Sequence, residues 1–220
     1  MKNRLAIIGI VSALSLTVIA CGGGQNKPVE FEEDTIRWAV VKDSTVYGIC
    51  GDGSAMNTLE LLIDNGDTMV VSVTDAKDAG QVFGNYAIGD RMAVMMKKKD
   101  VAKKVINLSA LLGNWVMPNP LDGSSELGIK IKEGGIVEGI EQSTIIYKTW
   151  KIFNGQLEIV SQRDGGGDFE ETNRYDLVLL SPDSLVFKDA EDVFEYGRQN
   201  VQSQKSKIKL EEASFDDFKL

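Results

Sequence analysis

The sequence predicts an all-β protein made of two small antiparallel β-barrels in series, and three observations carry that prediction. Apolar runs of five or six residues recur along the chain, separated by clusters of turn residues. Asn-Gly falls between two such runs at Asn65-Gly66 and again at Asn154-Gly155, the strongest short-range hairpin signal. Ile129 and Ile131 alternate with Lys130 and Lys132, the period-two pattern of a half-buried strand.

The start of the chain reads as an address. Lys2 and Arg4 precede the uncharged run Leu5–Ala20, which at 16 residues is short of the roughly 20 that a spanning helix needs. A charged start, a short apolar stretch and a small residue at the break predict a signal peptide over residues 1–20. The break, Val18-Ile19-Ala20-Cys21, resembles the lipobox of bacterial lipoproteins, where the cysteine is acylated after cleavage. That resemblance implies lipid attachment at Cys21 and residence in a bacterial envelope, on the outer membrane of a Gram-negative cell. Two or more acyl chains anchor a protein stably where one does not. Removal of Lys2 and Arg4 takes the formal charge from −9 to −11, so the mature chain gains nothing from an anionic surface. Residues 21–34 hold three consecutive glycines and an acidic run, a flexible tether whose 13 residues after Cys21 reach about 20 Å.

Residues 35–108 form the first module. Ile36–Val41 and Thr45–Ile49 flank Lys42-Asp43-Ser44, and Thr58–Ile63 and Thr68–Val73 flank Asp64–Asp67. Arg91–Met96 and Val101–Leu108 bring the apolar runs to six, from which five strands are read, with a short helix or irregular loop over Asp75–Ala87. Five strands in about 70 residues suit an OB-like or SH3-like barrel, which closes to remove sheet edges.

Residues 109–198 form the second. Leu111–Val116 opens it, and Ile129–Lys132, Ile145–Phe153, Leu157–Gln162, Tyr175–Leu180, Leu185–Lys188 and Val193–Tyr196 continue a meander with room for eight strands. Gly113-Asn114-Trp115 resembles the Gly-x-Trp opening of the lipocalins. Leu112–Trp115, Asp122-Gly123-Ser124-Ser125 and Tyr175–Phe187 are similar to the lipocalin-like domain of bacterial lipoproteins. The resemblance implies a short lipocalin-like barrel in which Trp115 plugs one end under a basic residue from the last strand. Arg198 stands at the matching place, so Gly113, Trp115 and Arg198 form the expected structural motif. The domain is much shorter than a secreted lipocalin, so a ligand cup and a side-chain-filled barrel remain alternatives. Alternation puts Trp150 and Ile152 on one face of their strand, Tyr175, Leu177 and Leu179 on one face of theirs, and Phe194 and Tyr196 likewise. Trp150, Tyr175, Tyr196, Ile152 and Leu177 are the candidate lining for a small apolar or amphipathic ligand. Residues 199–220 are a polar tail.

Composition limits the chemistry. The 220 residues carry 24 basic and 33 acidic side chains, 43% apolar residues, no histidine and two cysteines. Without histidine the commonest general base and zinc ligand are missing. The acidic balance argues against a nucleic-acid partner, and no cofactor motif is present. Cys50 has no base to activate it and reads as a buried thiol. Asp164, Asp168 and Glu170 lie in a glycine-spaced acidic run that could contact calcium, but the spacing departs from an EF-hand loop. Asp34-Thr35-Ile36, Asp43-Ser44-Thr45, Asp67-Thr68-Met69 and Asp183-Ser184-Leu185 resemble a bacterial O-glycosylation signal. The expected function is therefore non-enzymatic: a lipid-anchored binding protein or, alternatively, a module contacting an envelope protein or glycan through loops such as Leu121–Glu126 and Asp164–Glu171.

Overall fold

The computed structural model describes residues 41–141 and 144–199. The signal segment, Cys21, the tether, most of the Ile36–Val41 run, the triplet at Asp34 and the tail from residue 200 lie outside the described residues.

The first module begins with β1 (Thr45–Cys50), β2 (Thr58–Ile63) and β3 (Thr68–Ser72), followed by α1 (Thr74–Asp78) and β4 (Val82–Phe83). It continues with β5 (Arg91–Lys98), β6 (Val101–Asn107) and the single turn α2 (Leu108–Leu111). The sheet order is β3-β2-β1-β5-β6-β4, and β3 also meets β6 through Ser72 and Val101, curling the sheet into a partly open barrel of OB-like order. Two pairings, β3–β6 and β4–β6, are parallel, so this module is not purely antiparallel as expected. The reason is the chain between β3 and β5, which runs through α1 and back along β6 and adds the two-residue strand β4. The sequence predicts a short helix or irregular loop over Asp75–Ala87 in that stretch.

β5 is covered on both faces, which explains its unbroken apolar run. Met92 and Val94 face the small module's own core with Leu59, Leu61 and Val71. Ala93, with Phe83 and Ile106, belongs instead to the cluster that fills the second module. The Asn154-Gly155 turn tightens this contact. Asn154 accepts hydrogen bonds from the Ser44 amide and hydroxyl at 2.9 and 2.8 Å, and its own amide donates to Asp43 at 3.0 Å. Both turn residues have positive φ, 49° and 74°, as a two-residue primed hairpin turn requires.

The second module is a closed barrel of β7 (Gly113–Pro118), β8 (Glu126–Lys132), β9 (Ile136–Ile140), β10 (Ile145–Phe153), β11 (Gln156–Arg163), β12 (Glu170–Leu180), β13 (Ser184–Lys188) and β14 (Val193–Arg198). Every neighbouring pair is antiparallel, and β14 returns to β7 to close the ring. β9 had no place in the sequence reading, because Val137 is its one fully buried side chain and glycine interrupts it. β12 begins five residues before Tyr175. Its polar start, Glu170–Arg174, is held by pairing with β11 and faces solvent for most of its length.

Two β-bulges overturn strict alternation. In β12 the register shifts between Leu177 and Leu179, so Leu180 turns into the core and Leu179, expected inside, is exposed. In β10 it shifts between Tyr147 and Thr149, which lets Tyr147 and Trp150 face inward together although they stand three residues apart.

One carboxylate is buried on the barrel's outer wall. Glu158 lies between Lys151 Nζ at 3.1 Å and Arg174 Nε at 2.8 Å. Burial pushes its carboxyl up, but hydrogen bonds from Arg174 and Lys151 outweigh burial and hold it below its ordinary value. A carboxyl depressed by folding contributes stability above its unfolded pKa, and that stability is lost as pH falls through the folded value. Stability should therefore decline as pH drops below about 4. Glu158→Gln should lower stability near neutrality and flatten the acid decline, which urea midpoints at neutral and acid pH will read.

Candidate ligand-binding site

The barrel's two ends differ. At one end Trp115, fully buried, donates from Nε1 to the Leu111 carbonyl at 2.7 Å. The Arg198 guanidinium lies 4.1 Å from the centre of that ring. Its nitrogens also donate to the carbonyls of Leu112 at 2.9 Å, Ala110 at 3.0 Å and Pro182. Gly113, Trp115 and Arg198 thus meet where β14 pairs with β7, and α2 sits across that end.

The other end is open. A cavity of about 340 Å³ is lined there by Met117, Leu127, Ile140, Tyr147, Phe194 and Tyr196, among others. Two of these rings, Phe194 and Tyr196, join Tyr175 and Phe187 in a continuous aromatic cluster with ring centres 4.9 to 5.6 Å apart, Phe187 and Tyr196 stacked and the other pairs tilted or edge-on. Three phenols approach one another in this region. Burial pushes Tyr147 up. Burial, then Tyr147 and the carboxylates of Asp189 and Glu171, push Tyr175 up to about 12. Burial, then the other two phenols, push Tyr196 up as well. All three stay neutral and keep their protons to donate. Among the described residues none of the three hydroxyls has a hydrogen-bond partner. Tyr196 is only 7% exposed. None of the three hydroxyls is sealed from solvent, so each can be met by water or by a ligand.

The five lining candidates are not brought to one wall. Tyr196 lines the open-end cavity, and Tyr175 meets Phe194 edge-on behind it. Leu177 is buried in the core between the ends. Trp150 and Ile152 line a different cleft of about 480 Å³, which Tyr47, Arg91 and Leu112 also border. Trp150 Nε1 is already satisfied by the Lys132 carbonyl at 2.9 Å. Tyr147, Met117, Leu127 and Ile140 escaped the sequence reading. The β10 bulge hides Tyr147, because counting back by twos from Trp150 places it outside the barrel.

Among the described residues no group of three or more acidic or thiol side chains is placed to hold a metal, so Asp164, Asp168 and Glu170 are not gathered around one point. Glu170 instead starts β12, opposite Gln162. Cys50 is buried and free, with Sγ 3.3 Å from Ser54 Oγ. Of the described triplet hydroxyls, Ser44 is bonded to Asn154, and Ser184 begins β13 rather than lying in a turn.

Residues 107–199 match the family model of lipocalin-like proteins. A lipocalin-like protein from Bacteroides thetaiotaomicron, solved by crystallography, is 30% identical over 41% of this chain and 97% of its own, with a TM-score of 0.38. No curated protein matches the chain.

Proposed function

We propose that this chain, which belongs to the lipocalin-like family through residues 107–199, binds a small amphipathic molecule at the open end of its barrel. The single observation behind this is the pair of neutral phenols, Tyr147 and Tyr196, unpartnered among the described residues, that line a mostly apolar cavity of about 340 Å³. That volume falls at the lower end of small-molecule sites, and a few placed polar groups in an apolar wall are what such sites use to orient a ligand. The apolar part would lie against Met117, Leu127 and Phe194, and its polar atoms would accept from Tyr196 and Tyr147. The protein works by binding rather than catalysis: it has no histidine, and the phenols are too basic to act as anions near neutrality.

The lipobox-like run ending at Cys21 completes the proposal. On this proposal the barrel is held on a bacterial outer membrane by acyl chains through the tether, with the membrane as its first partner. Native mass spectrometry of protein from its own host should show an N-terminus at Cys21 carrying acyl chains, plus a second, non-covalent mass. Leu127→Trp, which fills the cavity, should remove the second mass and leave the first. A host-derived protein that is always free of small molecules would count against binding. Tyr196→Phe should keep the fold and weaken binding about fivefold, the worth of one neutral hydrogen bond.

A second reading has its own observation. Leu121 is 92% exposed and Phe169 73%, each on one of the two loops expected to contact a protein or glycan. Phe169→Asp, which leaves the cavity lining untouched, should abolish recovery of a macromolecular partner from envelope extract if the loops, rather than the cavity, carry the function.

A further inference from the structure

Five lysines crowd the eight residues Lys97–Lys104, around the turn from β5 to β6, with Asp100 the one carboxylate among them. Lys97, Lys98, Lys99 and Lys103 are exposed. Lys104 is turned toward the second module, donating to the Gly155 carbonyl at 3.0 Å and lying 3.8 Å from Asp176. Asp75 on α1 takes Lys97 at 2.9 Å, and its carboxyl is held below its ordinary value by Lys97 first and Lys98 after it. Lys98, Lys99 and Lys103 make no hydrogen bond or ion pair among the described residues. The backbone shapes this tip. Pairing slips twice near the turn, with Met95 opposite Lys104, Met96 opposite Ala102 and Lys98 opposite Val101. Lys97 on β5 and Lys103 on β6 are thus the extra residues of two bulges, which re-aim side chains. The turn is pinned, because the Ser72 amide donates to the Asp100 carbonyl at 2.9 Å and Ser72 pairs with Val101. An independent observation is where the chain enters. β1 runs antiparallel to β5 with Thr45 opposite Met95, so the residues before β1 join the sheet at the end where β5 runs out into Lys97. Met95 and Lys97 stand about 7 Å apart along that strand.

We propose that this hairpin tip is the membrane-facing end of the protein and docks on anionic lipid headgroups. The inference rests on the lipid anchoring proposed above and adds which end the anchored chain turns to the bilayer. A tether joined at Val41 draws in the end of the sheet that carries the tip. Headgroup phosphates there meet Lys98, Lys99 and Lys103, each of which favours contact with an anionic leaflet by about fivefold. Asp100 offsets part of that gain. The formal charge of −9 does not decide the contact. Charges farther away than a Debye length, about 8 Å at physiological salt, are largely screened, so a surface meets the tip rather than the average of the chain.

The full chain, purified from its host, is mixed with phosphatidylcholine vesicles made with and without phosphatidylglycerol. An amine-acetylating reagent is added, and peptide mass spectrometry reads the rate at each lysine. Lys98, Lys99 and Lys103 should react about tenfold more slowly on the anionic vesicles. Lys130 and Lys188, exposed on the barrel, should react equally on both. Added salt should restore the reactivity of the tip. In the variant combining Lys98→Gln, Lys99→Gln and Lys103→Gln, the remaining tip amine, Lys97, should lose its protection, and an unshifted melting temperature will show that this variant folds. Equal tip rates on the two lipids, or equal protection of Lys130 and Lys188, overturns the inference and leaves the anchor standing. Failure to float with phosphatidylcholine vesicles means instead that the anchor is absent. Flotation with the anionic vesicles at low salt then reads the tip, and the triple variant should abolish it. No flotation of the unaltered chain there overturns the inference as well.

Discussion

Trp115→Ala should destabilise the protein by about 3–5 kcal/mol, the range for removing a buried large aromatic side chain. Three separate losses meet at this residue. The indole leaves a void in the closed end of the barrel, where it is fully buried among Ile129, Leu111 and Leu185. The Leu111 carbonyl at the end of α2 loses the Nε1 donor at 2.7 Å. Arg198 loses the ring beneath its guanidinium. The position magnifies all three, because β14 meets β7 through two residue pairs, Gly197 with Val116 and Arg198 with Trp115. Most other strand pairs in the barrel run to four or more pairs, so the ring has little reserve at this seam. Trp115→Phe keeps most of the apolar volume and loses the indole hydrogen bond, so it should cost about 1–3 kcal/mol. Urea unfolding monitored by far-ultraviolet circular dichroism measures both variants. A cost below about 1 kcal/mol for the alanine variant would mean that the barrel closes without its plug.

What the sequence could show of this architecture follows from what local patterns encode. Hairpins announced by Asn-Gly stand where expected, by two routes: Asn154-Gly155 is a two-residue turn with positive φ at both positions, whereas in the longer loop between β2 and β3 only Gly66 of Asn65-Gly66 has positive φ. Ile129 and Ile131 are buried and Lys130 is exposed, as a half-buried strand requires. The misses share one cause. A bulge near Lys148 and another near Val178 invert the parity of their strands, and no local residue type announces either. The first bulge turns Tyr147 into the barrel, and the second turns Leu179 out of it. β4 and β9 are held by neighbours distant in sequence, so pairing rather than propensity makes them strands. The separation of Trp150 from Tyr196 is likewise tertiary: alternation says that both face inward, not at which height along the barrel they sit.

Gly113→Ala should cost about 3 kcal/mol, although it adds a single methyl group. Gly113 has φ +138°, a conformation L-residues rarely adopt, and strain there is of order 1–3 kcal/mol. A Cβ at this position would also lie 2.4 Å from Arg198 Nη1, far inside contact distance. Gly113 and Trp115 stand two apart on β7 and so present the same face, and the Arg198 guanidinium lies across that face. The Gly-x-Trp spacing therefore has a physical content: the glycine leaves the space that the arginine fills, and the tryptophan supplies the ring it covers. Moving Arg198 aside would weaken its charged hydrogen bonds to the Leu112 and Ala110 carbonyls, each of a kind worth about 1.5–3 kcal/mol. A double-mutant cycle separates the two contributions. In an Arg198→Ala background the clash is gone, so Gly113→Ala should retain only the backbone strain and cost measurably less than in the wild type. Urea midpoints of the four proteins give the coupling directly. Full additivity would show that Gly113 serves its own backbone alone and that Arg198 does not depend on the space beside it.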